Sequence, residues 1–160
     1  MKLIQASNVD DWKRASEILL AVVDKLDAEG KSLWTRHQVS EEGLKQSYKL
    51  SELVFFKENG YDIGVAFLQT ADPDFWPEIE DNTSLFFHKL AIHPSYSGEG
   101  KGAAAVDLIK DFARYHQYRF LRVDCDDRTI LRQFYLNLGF DLVCKININN
   151  YDLVKFELPI

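Results

Sequence analysis

Ser97-Gly98-Glu99-Gly100-Lys101-Gly102 sets three glycines at alternate positions between a strand-like apolar run and an alanine-rich helical run. Glycine lets a backbone turn tightly and approach a ligand with no Cβ in the way. A helix N-terminus adds unpaired N–H groups and the positive end of a dipole. Strand, glycine loop and helix in immediate succession therefore predict a cradle for phosphate or pyrophosphate. Two familiar nucleotide loops are absent. A Walker A loop requires Ser or Thr after its Gly-Lys, and Gly102 follows Lys101 here. The fingerprint GxGxxG fails because the glycines are spaced by two throughout.

Other residue types add less. His88 lies on the strand that leads into the loop, in phase with Phe86, Leu90 and Ile92. Imidazole titrates near neutrality, so it reads either as a general base or as a hydrogen-bonded structural histidine. Lys101 reads either as a help to phosphates or as a solvated side chain. His37, His93 and His116 show no metal-ligand spacing, and Cys125 and Cys144 form no CxxC, so no metal is expected. The two cysteines read as small buried hydrophobes of a reducing compartment.

The elements that must position these residues follow from periodicity. Lys2–Gln5 reads as a strand. Trp12, Ala15, Leu19, Val22, Val23 and Leu26 recur at helical spacing, with Asp10 or Asp11 as cap and Gly30 as stop. A second helix is predicted from about Ser40 to Lys49, with a capped start at Ser40. Residues 53–58 and 63–68 flank Asn59-Gly60, a hairpin signal. A loop over 72–77 precedes a strand from about Thr83 to Ile92, which Pro94 ends. The helix after the glycine loop turns Ala105, Leu108, Ile109 and Phe112 to one face. A strand at 120–125, a helix at 130–138 closed by Gly139, and strands at 142–148 and 153–158 complete the chain. The order β-α-α-β-β-β-α-β-α-β-β predicts an α/β domain with a mixed sheet: hairpins give antiparallel pairs and the crossover a parallel one. No repeat, linker or boundary is evident, so residues 1–160 read as one domain, of a normal size for a single core.

Composition limits the partners. Nineteen Lys and Arg against 25 Asp and Glu give a formal charge of −6, which repels nucleic-acid backbones. The same charge suits solubility and mildly attracts a cationic amine. No signal-peptide core opens the chain and no apolar run approaches a membrane span, so the expectation is a cytoplasmic protein without a membrane partner.

Residues 90–105, Leu-Ala-Ile-His-Pro-Ser-Tyr-Ser-Gly-Glu-Gly-Lys-Gly-Ala-Ala-Ala, closely resemble the coenzyme A motif of the GNAT acetyltransferases. The family signature is Gln or Arg, two residues, Gly, one residue, then Gly or Ala; it maps onto Ser97, Gly100 and Gly102. Phe134-Tyr135-Leu136-Asn137-Leu138-Gly139-Phe140 resembles the family's stretch before its last strand pair. The resemblance implies a GNAT-type, largely antiparallel central sheet with helices on both faces, and acetyl-coenzyme A as co-substrate. By position it implies that Leu90, Ala91 and Ile92 line the pantetheine arm, Leu90 and Ile92 through backbone groups. Ser97, Gly98, Glu99, Gly100, Lys101, Gly102 and Ala103 would surround the pyrophosphate. Tyr135 would sit near the sulfur and protonate the departing thiolate, or else be an ordinary core aromatic. Asp124, at the end of its strand, is a competing base or substrate anchor, or a capping residue. Arg128, where the family often has Asn, could reach a cofactor phosphate. Trp34, Asp27 and Glu29 lie where the family shapes its acceptor pocket, or are a core Trp among solvated charges. Ser97 departs from the usual Gln or Arg, losing reach and charge.

The implied reaction is direct attack of a neutral primary amine, on a small molecule or a protein, on the thioester. The rival is a coenzyme A-binding sensor or partner-binding domain on the same fold. The C-terminal strand pair could join a second copy as a homodimer.

Overall fold

Trp12, Ala15, Leu19 and Val23 are buried along one face of α1 (Asp11–Ala28), as their spacing requires, while Val22 and Leu26 at its margin are half-buried. The computed structural model describes residues 1–160. The start of α1 differs in detail from expectation. Asp10 occupies the cap position without a side-chain bond, and Asp11 instead accepts from the Ser7 and Asn8 amides.

Between α1 and the hairpin lie two helices rather than one. Thr35 and Gln38 form a capping box that starts α2 (Arg36–Val39), a short turn the periodicity is too brief to reveal. Ser40 then caps α3 (Glu41–Ser47) by accepting from the Gly43 amide, as expected. With β1 (Lys2–Gln5), the hairpin β2 (Leu53–Glu58) and β3 (Tyr61–Gln69) follow the predicted pattern, and Asn59 and Gly60 hold the positive φ their turn demands. Next come β4 (Ser84–Ile92), α4 (Lys101–Tyr115), β5 (Phe120–Asp126), α5 (Thr129–Asn137), β6 (Asp141–Ile148) and β7 (Tyr151–Pro159). The seven strands run in the order β1-β2-β3-β4-β5-β7-β6. β1–β2, β2–β3, β5–β7 and β6–β7 pair antiparallel, and β4–β5 pair parallel, giving the mixed, mostly antiparallel sheet expected from the sequence.

The chain divides into two compact units. The first holds Met1–Leu68 and Lys89–Leu108. Its core joins Trp12, Ala15, Leu19 and Val23 to Phe55, Val65, Phe67 and Ala91, with Trp34 and Tyr48 packed at the margin. The second holds Gln69–His88 and Ile109–Ile160. Its core includes Trp76, Phe86, Phe87, Leu121, Val123, Tyr135, Phe140 and Phe156. β6 is an outer strand with Leu142 and Val143 exposed. Cys125 and Cys144 are free and half-buried rather than fully buried.

Candidate active site

In the first unit the glycine loop takes the form its composition predicts. Gly98, Glu99 and Gly100 are successive residues at positive φ (91°, 53° and 72°). A Cβ built on Gly98 or Gly100 meets nothing within 4 Å, so the space in front of both is open. The Lys101 amide donates back to the Gly98 carbonyl at 3.1 Å, closing the turn, and the Ala104 amide starts the helical ladder on Gly100 at 2.9 Å. The first-turn amides of Gly102 and Ala103 thus open α4 without an intrahelical acceptor. Open room beside backbone donors at a helix N-terminus fits a pyrophosphate, the group the loop's sequence predicts.

Three side chains near the loop are committed elsewhere. Lys101 does not simply project into water: its ammonium pairs with Glu58 on β2. The Ser97 hydroxyl donates to the Pro94 carbonyl at 2.9 Å, so the substitute for Gln or Arg spends its proton locally. Ala91 is a core residue, and its carbonyl would lie 2.6 Å from a Cβ on Gly64. Backbone groups alternate sides along a strand, so Leu90 and Ile92 present theirs to the opposite edge. The ladder between β4 and β5 covers only Ser84–Phe86, although β4 runs on to Ile92.

Lys89 is the strained point of β4, with φ 48° inside a strand. A non-glycine residue there costs about 1–2 kcal/mol. A residue in that region breaks the regular pleat between His88 and Leu90, on which the phasing read from the sequence rests. No residue type at 89 announces this. The ammonium of Lys89 stands 5.2 Å from the centre of the Trp34 ring. Trp34 packs against the first core, Asp27 accepts from the Ser32 hydroxyl, and Glu29 lies 3.9 Å from Lys31.

The second unit gathers the titratable groups. Asp124 lies within β5, opposite Lys155 of β7, rather than capping a helix or turn. Its carboxyl is pushed up to about 6, first by desolvation and then by the charge of Asp72. Burial likewise raises Asp72, whose side chain is 7% exposed and whose Oδ2 is 3.7 Å from His88 Nε2. Asp72 Oδ2 and Asp124 Oδ1 are sealed from solvent without a hydrogen-bond partner. The Trp76 indole N–H approaches Asp124 closely enough to lower its pKa somewhat, yet without the geometry of a full hydrogen bond. Lys155, also buried, reaches Glu78 at 3.0 Å and lies 4.7 Å over the Trp76 ring. The donor atoms of Asp72, His88 and Asp124 fall within 4.8 Å of one another. Tetrahedral zinc would draw such atoms to about 3.4 Å apart, and the Lys155 ammonium nearby opposes a second cation. The cluster suits a proton better than a metal ion.

Tyr135 is the buried residue of α5, ringed by Phe87, Phe134, Phe140 and Phe156. Desolvation first, then the Cys125 and Asp124 charges, raises its pKa and keeps the phenol protonated. Arg128 precedes α5 and pairs with Asp126. Asp72 is the residue that reading the sequence missed: it sits in a loop 16 positions before His88 and 52 before Asp124. Trp76, a bulky aromatic between two prolines in that loop, was the available sign that the segment folds inward.

The family model described as the Acetyltransferase (GNAT) family matches residues 17–140. An uncharacterized N-acetyltransferase of Bacillus subtilis, YesJ, is 20% identical over 156 residues, covering 93% of this chain and 86% of that protein. A GNAT-family acetyltransferase structure from Listeria monocytogenes superposes with a TM-score of 0.76 at 16% identity, over 99% of this chain and 94% of that one. The aminoglycoside acetyltransferase AAC(6')-Ib in complex with coenzyme A gives 0.73 at 16% identity, again over 99% and 94%.

Proposed function

The chain belongs to the GNAT acetyltransferase family, and from that premise we propose that it transfers an acetyl group from acetyl-coenzyme A to a primary amine. The observation that carries this reading is the open-fronted Gly98–Gly100 turn at positive φ, set immediately before the first-turn amides of α4. The AAC(6')-Ib structure contains coenzyme A, which supports the same co-substrate here. In this reading the backbone of Gly98–Ala103 holds the pyrophosphate, and that of Leu90 and Ile92 holds the pantetheine arm. The amine nitrogen bonds to the thioester carbonyl carbon, the carbon–sulfur bond breaks, and the sulfur leaves with the electron pair. Two proton transfers complete the balance. By the family resemblance, His88 or Asp124 takes the amine proton, and Tyr135 gives one to the thiolate. Backbone donors that polarise the carbonyl supply the electrostatic part.

Calorimetric titration with acetyl-coenzyme A, on the wild type and on Gly100→Trp, tests the cradle. Binding by the wild type that the variant loses is the expected result. A folded wild type without binding would overturn the reading. Thiol release across a panel of primary amines then separates transferase from sensor, since a sensor binds tightly and turns nothing over.

A further inference from the structure

β6 ends the seven-stranded sheet, so one of its edges has no strand beside it. The turn Asn149-Asn150, with φ of 51° and 66°, joins it to β7 as a tight hairpin, which makes Ile148 and Tyr151 a hydrogen-bonded pair. Alternation then turns the backbone N–H and C=O of Cys144 and Ile146 toward β7 as well, and those of Lys145 and Asn147 toward the open edge. Side chains divide the same way. Cys144, Ile146 and Ile148 stand half-buried on one face of the sheet, and Lys145 and Asn147 stand exposed on the other. The Asn147 side-chain nitrogen donates to Asp152 of β7 at 2.9 Å, which leaves its Oδ1 to accept from a further donor. Between Leu142 and Cys144 the ladder shifts register, so the regular part of the edge is residues 144–148.

We infer that this edge pairs antiparallel with the same edge of a second copy, with Ile146 on the two-fold axis. The inference stands apart from the acetyl-transfer reading. That register alone maps the whole regular edge onto itself: Lys145 lies opposite Asn147 of the second copy, and Cys144 opposite its Ile148. Lys145 and Asn147 exchange the backbone hydrogen bonds that the open edge lacks. The Lys145 ammonium meets the Oδ1 of the opposing Asn147 and the Asp152 charge behind it, so the charges complement each other. On the other face Cys144, Ile146 and Ile148 join their counterparts in one apolar strip that neither copy covers alone. Centring the pairing on Lys145 would set two ammonium groups face to face. Centring it on Asn147 would run the ladder into the turn. The two-fold repeats every contact, so the assembly closes at two copies. Five residues of strand edge bury less than the roughly 800 Å² per partner of a standard interface, so the dimer is a reversible one.

Sedimentation equilibrium of the whole protein tests this, and the wild-type mass should rise toward that of two copies with concentration. Lys145→Pro removes an N–H that β7 does not use, so the variant should fold and stay monomeric. Lys145→Glu sets like charges against Asp152 of the second copy and should weaken the dimer on the order of tenfold or more. It carries the test if Lys145→Pro fails to fold. Ile148→Cys reads the register, because it places a thiol opposite the native Cys144 of the second copy. The two would form a non-hydrogen-bonded pair, with backbones close enough for a disulfide. Oxidation should cross-link this variant into a covalent dimer, leave the wild type uncross-linked, and fail once Cys144→Ser is added. A wild type that stays monomeric up to its solubility limit, a dimer that Lys145→Glu leaves equally tight, or an Ile148→Cys variant that does not cross-link would each overturn the proposal.

Discussion

Replacing Gly64 by alanine sets two effects of known size against each other. Gly64 lies inside β3 without positive φ, so its backbone makes no demand for glycine. Alanine there should stabilise by about 0.5–1 kcal/mol, through the smaller loss of chain entropy on folding. Packing argues the other way. The new Cβ would sit 2.6 Å from the Ala91 carbonyl oxygen, 2.7 Å from Ile92 Cδ1 and 3.3 Å from Phe56 Cδ2. The Ile92 methyl can rotate aside, but the carbonyl is backbone. With ordinary contact beginning at 3.4 Å, the two strands must part by about 0.8 Å at that point. Overpacking of this kind costs about 1–3 kcal/mol, so the steric term wins. A net loss of about 1–2 kcal/mol lowers the melting temperature by roughly 2–8 °C in a chain of this size. Calorimetric melting of both proteins measures it. Acetyl-coenzyme A titration of the variant should show weaker binding, because the carbonyl displaced belongs to the segment assigned to the pantetheine arm. A melting temperature equal to or above that of the wild type would refute the reasoning, since it would show that β4 yields at no cost.

Two further predictions concern buried ionisable groups. The folded-state pKa of Asp124, about 6 against an ordinary 3.8, means that folding favours its protonated form. That contribution is fully present below pH 3.8 and is lost as pH rises through 6; a shift of this size corresponds to on the order of 3 kcal/mol. Asp124→Asn should therefore gain stability relative to the wild type at pH 8 and little at pH 4, as denaturant unfolding at the two pH values would show; an equal difference at both would contradict the assignment. The Cys125 thiol is pushed up to about 12, chiefly by desolvation and then by Asp124, Asp126 and Asp127. It should resist iodoacetamide at pH 8 in the folded protein and react on unfolding, which mass spectrometry of the alkylated peptide would report.

Local chemistry determined much of this protein from its sequence. The hairpin at Asn59-Gly60, the Ser40 cap, the helical face of Trp12, Ala15, Leu19 and Val23, and the glycine turn before α4 depend on neighbours a few residues away. Steric and hydrogen-bond rules act at that range, so residue type and spacing suffice. The GNAT resemblance over residues 90–105 and 134–140 lies on two such local stretches. What the sequence left open depends on partners far along the chain. Lys101 pairs with Glu58, 43 residues earlier, a contact that only the folded chain makes. The closeness of Asp72 to His88 and Asp124 arises only when three separate elements meet. The positive φ at Lys89 has no local signal, since lysine has no preference for that region. Tertiary packing also decides ionisation: Asp124 reads as an ordinary carboxylate in the sequence. Desolvation and the charge of a residue 52 positions away make it a group that titrates near 6.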